Sequence, residues 1–260
     1  MALVQLDAAG PVATLTLDRP DARNALSVEL CDEIVVALHR LGSRPDLRVL
    51  IVRGAGSVFC AGADVNTLTG PGAGGFVPAF EAMLDALTRF RLPTIAAIQG
   101  AALGGGYQLA SVCDFAVAAA DAKIGIPSAR LGVLVNFENV QRLVLRVGPA
   151  RSREGLMTAR TYRGDEATAA GLVTGAVPAA ELDAAVSELA AGIAAGAPLS
   201  VQGSKRAIQL VVDHLSAARA AAPDLVADMD RLVADVYASD DLAEGVRALS
   251  EKRDPRFRGH

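Results

Sequence analysis

Apolar positions follow two different periods along the first half of the chain. Leu3-Val4-Gln5-Leu6 and Val12-Ala13-Thr14-Leu15-Thr16-Leu17 alternate with period two around Ala8-Ala9-Gly10, which predicts a β-hairpin that Asp18-Arg19-Pro20 brings to an end. From about Ser27 the period lengthens: Leu30, Ile34, Leu38 and Leu41 share one helical face, and Gly42 is a stop signal. Val49-Leu50-Ile51-Val52 predicts a short apolar strand. Residues 70–75 (GPGAGG) read as a flexible loop and 80–92 as a second helix. Thr94-Ile95-Ala96-Ala97-Ile98 is a buried strand that runs into a glycine cluster. This alternation over about 150 residues predicts layered α/β structure. Beyond it, residues 150–159, 179–195, 200–222 and 224–238 carry helical patterns and strand signals nearly vanish. The chain shows no repeat of 20–50 residues.

Composition narrows the classes of function. The 260 residues are 52% hydrophobic and 21% charged, enough for a buried core and far from the signature of disorder. Aromatics make up only 4%, with no Trp, so small and aliphatic side chains fill that core. A net charge of −4 without Lys/Arg blocks argues against a nucleic-acid partner. Cys31, Cys60 and Cys113 are widely spaced with no CxxC pair, which fits reduced, buried thiols and neither a disulfide framework nor a zinc site. His39, His214 and His260 lie in no motif, so neither a metal site nor a Ser-His-Asp triad is expected. The N-terminus reaches Asp7 without a basic, then apolar, leader. The most apolar stretch, residues 92–103, is interrupted by Pro93, Gln99 and Gly100 and is too short to cross a bilayer. A soluble, cytoplasmic protein without a membrane partner is the expectation.

Two glycine-bearing segments stand directly after strands: Phe59-Cys60-Ala61-Gly62-Ala63-Asp64-Val65 and Gly100-Ala101-Ala102-Leu103-Gly104-Gly105-Gly106-Tyr107-Gln108-Leu109-Ala110. One reading is that these glycines serve tight turns and close helix–sheet packing. The other is that a strand-to-helix turn leaves N–H groups without intrahelical acceptors, at the positive end of the helix. Two such groups converging from separate loops make an oxyanion hole. The spacing does not fit the GxGxxG dinucleotide fingerprint.

Asp18-Arg19-Pro20, Arg23-Asn24-Ala25-Leu26, the AGAD of residues 61–64 and the GxALGGGxxLAxxCD of residues 100–114 together resemble the crotonase superfamily, the enoyl-CoA hydratase/isomerase group. The likeness continues through Gly125-Ile126-Pro127, Leu131-Gly132, Gln141-Arg142-Leu143, Ala170-Gly171-Leu172-Val173 and Glu251-Lys252-Arg253, so it covers essentially the whole chain. It implies a crotonase-like spiral of repeated ββα units over residues 1–195, followed by a helical oligomerisation region over 196–260 that builds a homotrimer or a dimer of trimers. It also implies an acyl-CoA thioester as substrate, with no cofactor beyond the coenzyme A that the substrate carries. The resemblance makes Ala63 and Gly105 the oxyanion-hole donors, with Gly104 beside them. Arg23 and the backbone of Ala61, Gly62, Ala63, Asp64 and Val65 fall where the family holds the CoA nucleotide, and Lys252 matches a tail lysine that reaches CoA from a neighbouring subunit.

The pattern departs from the hydratases at their two glutamates, which are Gln108 and Ser128 here. Adding water to an enoyl thioester needs a group that takes a proton and one that gives it. A carboxamide does neither near neutral pH, although Gln108 can orient a water. A third position, an aspartate in some relatives, is Asn136. The nearest carboxylate is Glu138, read either as a single base and acid facing the acyl pocket or as a charged residue at a helix start. Asp64 and Asp114 are also read as structural carboxylates that cap a turn or a helix. Isomerisation or other enolate chemistry is therefore expected rather than standard hydration, with a non-catalytic acyl-CoA binder as the alternative.

Overall fold

The computed structural model describes residues 2–68, 73–217 and 222–259, so residues 70–72 of the glycine loop and His260 lie outside the described residues. The backbone divides into two compact units: Met1–Ile124 with Tyr162–Gln209, and Gly125–Thr161 with Leu210–His260.

The first unit is a mixed α/β layer structure, as expected. Strands β1 (Val4–Ala9) and β2 (Val12–Leu17) form the predicted hairpin, turning through Gly10, whose φ of 59° is the left-handed conformation glycine adopts freely. Strands β3 (Val49–Gly54), β4 (Thr94–Ile98), β6 (Phe115–Ala119) and β8 (Gly175–Val177) join β2 in parallel, giving the order β1-β2-β3-β4-β6-β8. β4 is buried at every position and β3 and β6 nearly so, which explains their continuous apolar runs: a parallel strand covered on both faces has no polar side to show. β5 (Ala101–Leu103) and β7 (Lys123–Gly125) form a separate two-stranded sheet.

Helix α1 (Val28–Gly42) starts where the sequence predicts, with the Ser27 hydroxyl accepting the Leu30 N–H, and buries Leu30, Ile34, Leu38 and Leu41. A single turn, α2, spans Val65–Leu68. Helix α3 (Ala73–Thr88) packs on α1; it begins seven residues before the expected start, and the later start that the sequence signals comes from Gly74, Gly75 and Pro78 in its first turns, whose helix propensity is poor. Helix α4 (Gly105–Ser111) follows the glycine cluster. The Asp114 carboxylate does not cap a helix; it accepts from Thr94 N (2.7 Å), Thr94 Oγ1 (2.9 Å) and Lys205 Nζ (2.7 Å), tying β4 to the segment that leads into β6.

In the second unit, a 3₁₀ turn at Ser128–Leu131 precedes helix α5 (Phe137–Thr158), which is kinked where Gly148 takes φ 75° before Pro149. The helix Asp240–Ser250 lies against the 3₁₀ turn so closely that a β-carbon on Gly245 would stand 2.8 Å from Leu131 Cα. A helix at Pro223–Tyr237 completes this unit's long elements. Among the described residues, no single helix is long and apolar enough to cross a membrane.

Candidate active site

Three backbone segments of the first unit run side by side. Phe59 N donates to Gln99 O (2.9 Å), Cys60 N to Ala101 O (3.0 Å) and Leu103 N to Cys60 O (3.1 Å), which aligns residues 59–60 with the stretch leading into the glycine cluster. On the other side, Ala61 N donates to Arg23 O (3.0 Å), Leu26 N to Gly62 O (2.8 Å) and Asp64 N to Leu26 O (2.8 Å). The chain around Ala63 is therefore held on both flanks by bonds that leave its own N–H aside.

Gly62 is the point of closest approach. A β-carbon there would stand 2.9 Å from Leu103 O and 3.7 Å from Gly105 N, and the residue's φ of 114° suits glycine alone. Gly104, with φ 54°, turns the chain from β5 into α4. Ala63 N–H and Gly105 N–H thus belong to two loops in direct contact, and neither has a backbone or side-chain acceptor among the described residues. The Gly105 N–H also opens α4. The wall beside it is apolar: a β-carbon at Gly105 would touch Leu26 Cδ1 (3.3 Å) and the Phe80 ring (3.4 Å), and Phe80 stacks on Phe76 with ring centroids 5.4 Å apart. Donors beside an apolar wall act on a developing anion with little screening by water.

Gln108, one turn into α4, is 9% exposed, and its carboxamide has no hydrogen-bond partner among the described residues. Tyr107 turns elsewhere, donating from its hydroxyl to Leu172 O at 3.0 Å. The Asp64 carboxylate pairs with Arg19 at 2.9 Å. Arg23 is exposed and left-handed, with φ 52°. Cys60 lies beneath the loop, fully buried, its thiol pushed up to about 12 chiefly by burial.

The remaining sequence candidates belong to the second unit. Half-buried Ser128 begins the 3₁₀ turn. Asn136 caps α5, its Oδ1 accepting the Asn139 N–H at 3.1 Å. Glu138 is half-buried in the first turn of the same helix, where the helix dipole favours a carboxylate. Lys252 is exposed, with φ 54°.

Sequence reasoning missed the part played by Asn24. Its side chain is fully buried; Oδ1 accepts Arg19 N (3.0 Å) and Nδ2 donates to Ala55 O (2.9 Å) and Val58 O (2.7 Å). The available signal was its residue type, since Asn tolerates the left-handed conformation it takes here at φ 54°.

A family model described as enoyl-CoA hydratase/isomerase matches residues 7–260 of the chain. The chain is 36% identical over 259 residues to the peroxisomal Delta(3,5)-Delta(2,4)-dienoyl-CoA isomerase of Arabidopsis thaliana, covering 94% of this chain and 91% of that protein. It is 35% identical over 254 residues to the crotonyl-CoA hydratase of Syntrophomonas wolfei, covering 95% and 94%. Among solved structures, methylmalonyl-CoA decarboxylase in complex with 2-nitronate-propionyl-CoA superposes with a TM-score of 0.87 at 28% identity, covering 99% of each chain.

Proposed function

From the premise that this chain belongs to the enoyl-CoA hydratase/isomerase family, we propose that it binds an acyl-CoA thioester and stabilises the thioester enolate with the N–H groups of Ala63 and Gly105. The observation that carries this reading is the contact between the Gly62 and Gly104–Gly105 turns, which leaves two adjoining donors without an acceptor among the described residues. Arg23 and the backbone of residues 61–65 hold the CoA portion, together with Lys252 of a neighbouring subunit, and no further cofactor is needed.

Isomerisation is the chemistry we favour. Gln108 and Ser128 stand where hydratases carry glutamates, and neither side chain shuttles protons at neutral pH. Glu138 supplies the single base. Its carboxylate takes a proton from C2 of a 3-enoyl thioester, the electron pair spreads over a dienolate whose oxygen lies between the two donors, and the same carboxyl returns the proton to C4. The product is the conjugated 2-enoyl thioester. The neutral pair Gln108 and Ser128 also favours a second reading, an acyl-CoA-binding protein without turnover.

The working state we propose is a cytoplasmic homotrimer or dimer of trimers. Leu199 and Ile208, on the helix Pro198–Leu215, are strongly exposed large apolar side chains of the kind a subunit contact would cover.

The test is direct. A 3-enoyl-CoA mixed with the protein gains the conjugated enoyl absorbance under the isomerase reading, and Glu138→Gln abolishes that gain while acyl-CoA binding persists. Binding without turnover in the wild type supports the carrier. Rapid loss of the absorbance of crotonyl-CoA by hydration overturns the roles given to Gln108 and Ser128, and no acyl-CoA binding overturns both readings.

A further inference from the structure

Arg19 and Asp64 lie 45 positions apart in the chain yet form a largely buried ion pair beside the loop that carries Ala63. Their side chains are 21% and 15% exposed, with Nη2 to Oδ2 at 2.9 Å. The same guanidinium donates from Nη1 to Ala25 O at 2.5 Å, and the Arg19 backbone N–H is held by buried Asn24. Asp64 immediately follows Ala63, about 3.8 Å away from Cα to Cα. A carboxylate on the residue next to an oxyanion donor opposes negative charge developing on a thioester oxygen. A fixed cation on that carboxylate cancels the opposition.

Resting on the reading of Ala63 and Gly105 as the oxyanion donors, we propose that Arg19 is a positioning and charge-neutralising residue of this site: its ion pair with Asp64 keeps the hole's field positive. Arg19 touches no reacting atom; it acts through Asp64 and the loop.

The experiment uses the full chain, with crotonyl-CoA labelled with ¹³C at the thioester carbon, and reads the carbonyl stretch of the bound ligand by Raman difference spectroscopy. The wild type shows a shift to lower frequency. Arg19→Gln takes the guanidinium cation away from Asp64, so the shift shrinks and turnover of the favoured enoyl-CoA falls about tenfold. In Arg19→Gln/Asp64→Asn the shift returns towards the wild-type value, although the ion pair is gone. Asp64→Asn alone gives a larger shift than wild type, because Arg19 keeps its charge while the carboxylate beside the donor is gone, and this variant decides the matter should Arg19→Gln fail to fold. A merely structural pair predicts the reverse: both single variants and the double lose the shift alike, and that result overturns the proposal. An unchanged shift in Arg19→Gln overturns it as well. A wild-type carbonyl that binds without any shift instead overturns the reading of Ala63 and Gly105 itself, which separates the two failures.

Discussion

The Cys60 Cβ and Sγ each lie 2.8 Å from the point that a β-carbon on Gly106 would occupy, and the Cys60 carbonyl oxygen lies nearer still. Helix α4 therefore seats its first turn directly on the neighbouring loop, at a distance only hydrogen permits. That seating sets the separation between the Gly105 and Ala63 donors.

Gly106→Ala is expected to push α4 away from residues 60–62, destabilising the fold by about 2–3 kcal/mol in urea unfolding, the range of overpacked cores. The carbonyl shift of a bound thioester should disappear with it. Gly155, inside α5 and with nothing within 4 Å of its would-be β-carbon, is the matched control. Gly155→Ala should stabilise by about 0.5–1 kcal/mol, since it removes backbone freedom from the unfolded chain at no steric expense. Equal effects at the two positions would show that residue 106 has no special role in seating α4.

Asn24 supports the same loops from below. Asn24→Ala should cost about 2–4 kcal/mol, because one change removes three hydrogen bonds, leaves the half-buried Ala55 and Val58 carbonyls and the Arg19 N–H short of a partner, and keeps a left-handed backbone that Asn tolerates better than Ala. Equilibrium unfolding measures the loss. A change below about 0.5 kcal/mol, the level of an ordinary surface substitution, is the outcome that would remove Asn24 from the framework.

Gly106 and Asn24 mark the limit of what the chain discloses before it is folded. The capped start and apolar stripe of α1, the hairpin and the run of β4 are local patterns, and each is found where those patterns put it. Strands β6 and β8 were missed because Phe-Ala-Val-Ala-Ala and Gly-Ala-Val are short, rich in small residues and buried or half-buried without alternation, so no period separates them from helix. The glycine turns of the candidate site were legible as a requirement for close approach. Their partners were not: Cys60 under Gly106, Phe80 beside Gly105 and Arg19 on Asp64 are long-range encounters that the sheet order creates. Asp114 illustrates the same point, its carboxylate serving Thr94 and Lys205 across the fold and not a nearby helix end.

The buried thiols contribute to the alkaline limb of stability. Cys31 and Cys60 are fully buried, and desolvation pushes each up to about 12 against an ordinary value of 9.0. The unfolded chain therefore loses these protons above about pH 9 while the folded chain keeps them, so stability is intact below pH 9 and falls as pH rises towards 12. Replacing both by Ser or Ala removes this component of the fall, seen as a flatter unfolding midpoint between pH 9 and 11. A thiol reagent at pH 8 should leave both unmodified in the native protein and label them in denaturant. Rapid native labelling of Cys60 would contradict its placement under the loop.

Glu244, at the other end of the chain, contributes to the acid limb. This carboxylate, in the helix Asp240–Ser250, accepts from Arg247 Nη2 (2.6 Å), from Arg253 Nη1 (2.6 Å) and Nη2 (3.0 Å), and from the Arg256 backbone N–H (2.9 Å). The Arg253 and Arg247 guanidinium groups, followed by the Arg256 N–H, hold its carboxyl well below the usual glutamate range. Its contribution is thus complete above the ordinary value of 4.5 and is lost only as pH falls through the lower folded value. Asp241 adds two bonds to the same tail, accepting from Arg258 N (2.6 Å) and Gly259 N (2.8 Å). Hydrogen exchange at the Arg256 amide is the measurement that isolates Glu244. In the wild type the amide stays protected at pH 4, where an unpaired glutamate is largely protonated. In Glu244→Gln the charge-assisted bonds to both arginines are gone, so protection at Arg256 falls across the whole pH range while β3 and β4 exchange as before. Because Lys252 lies within the tail that Glu244 ties down, the same variant should weaken acyl-CoA binding more than it slows turnover of bound ligand. Unchanged protection at Arg256 would mean that the tail is held by something other than this carboxylate.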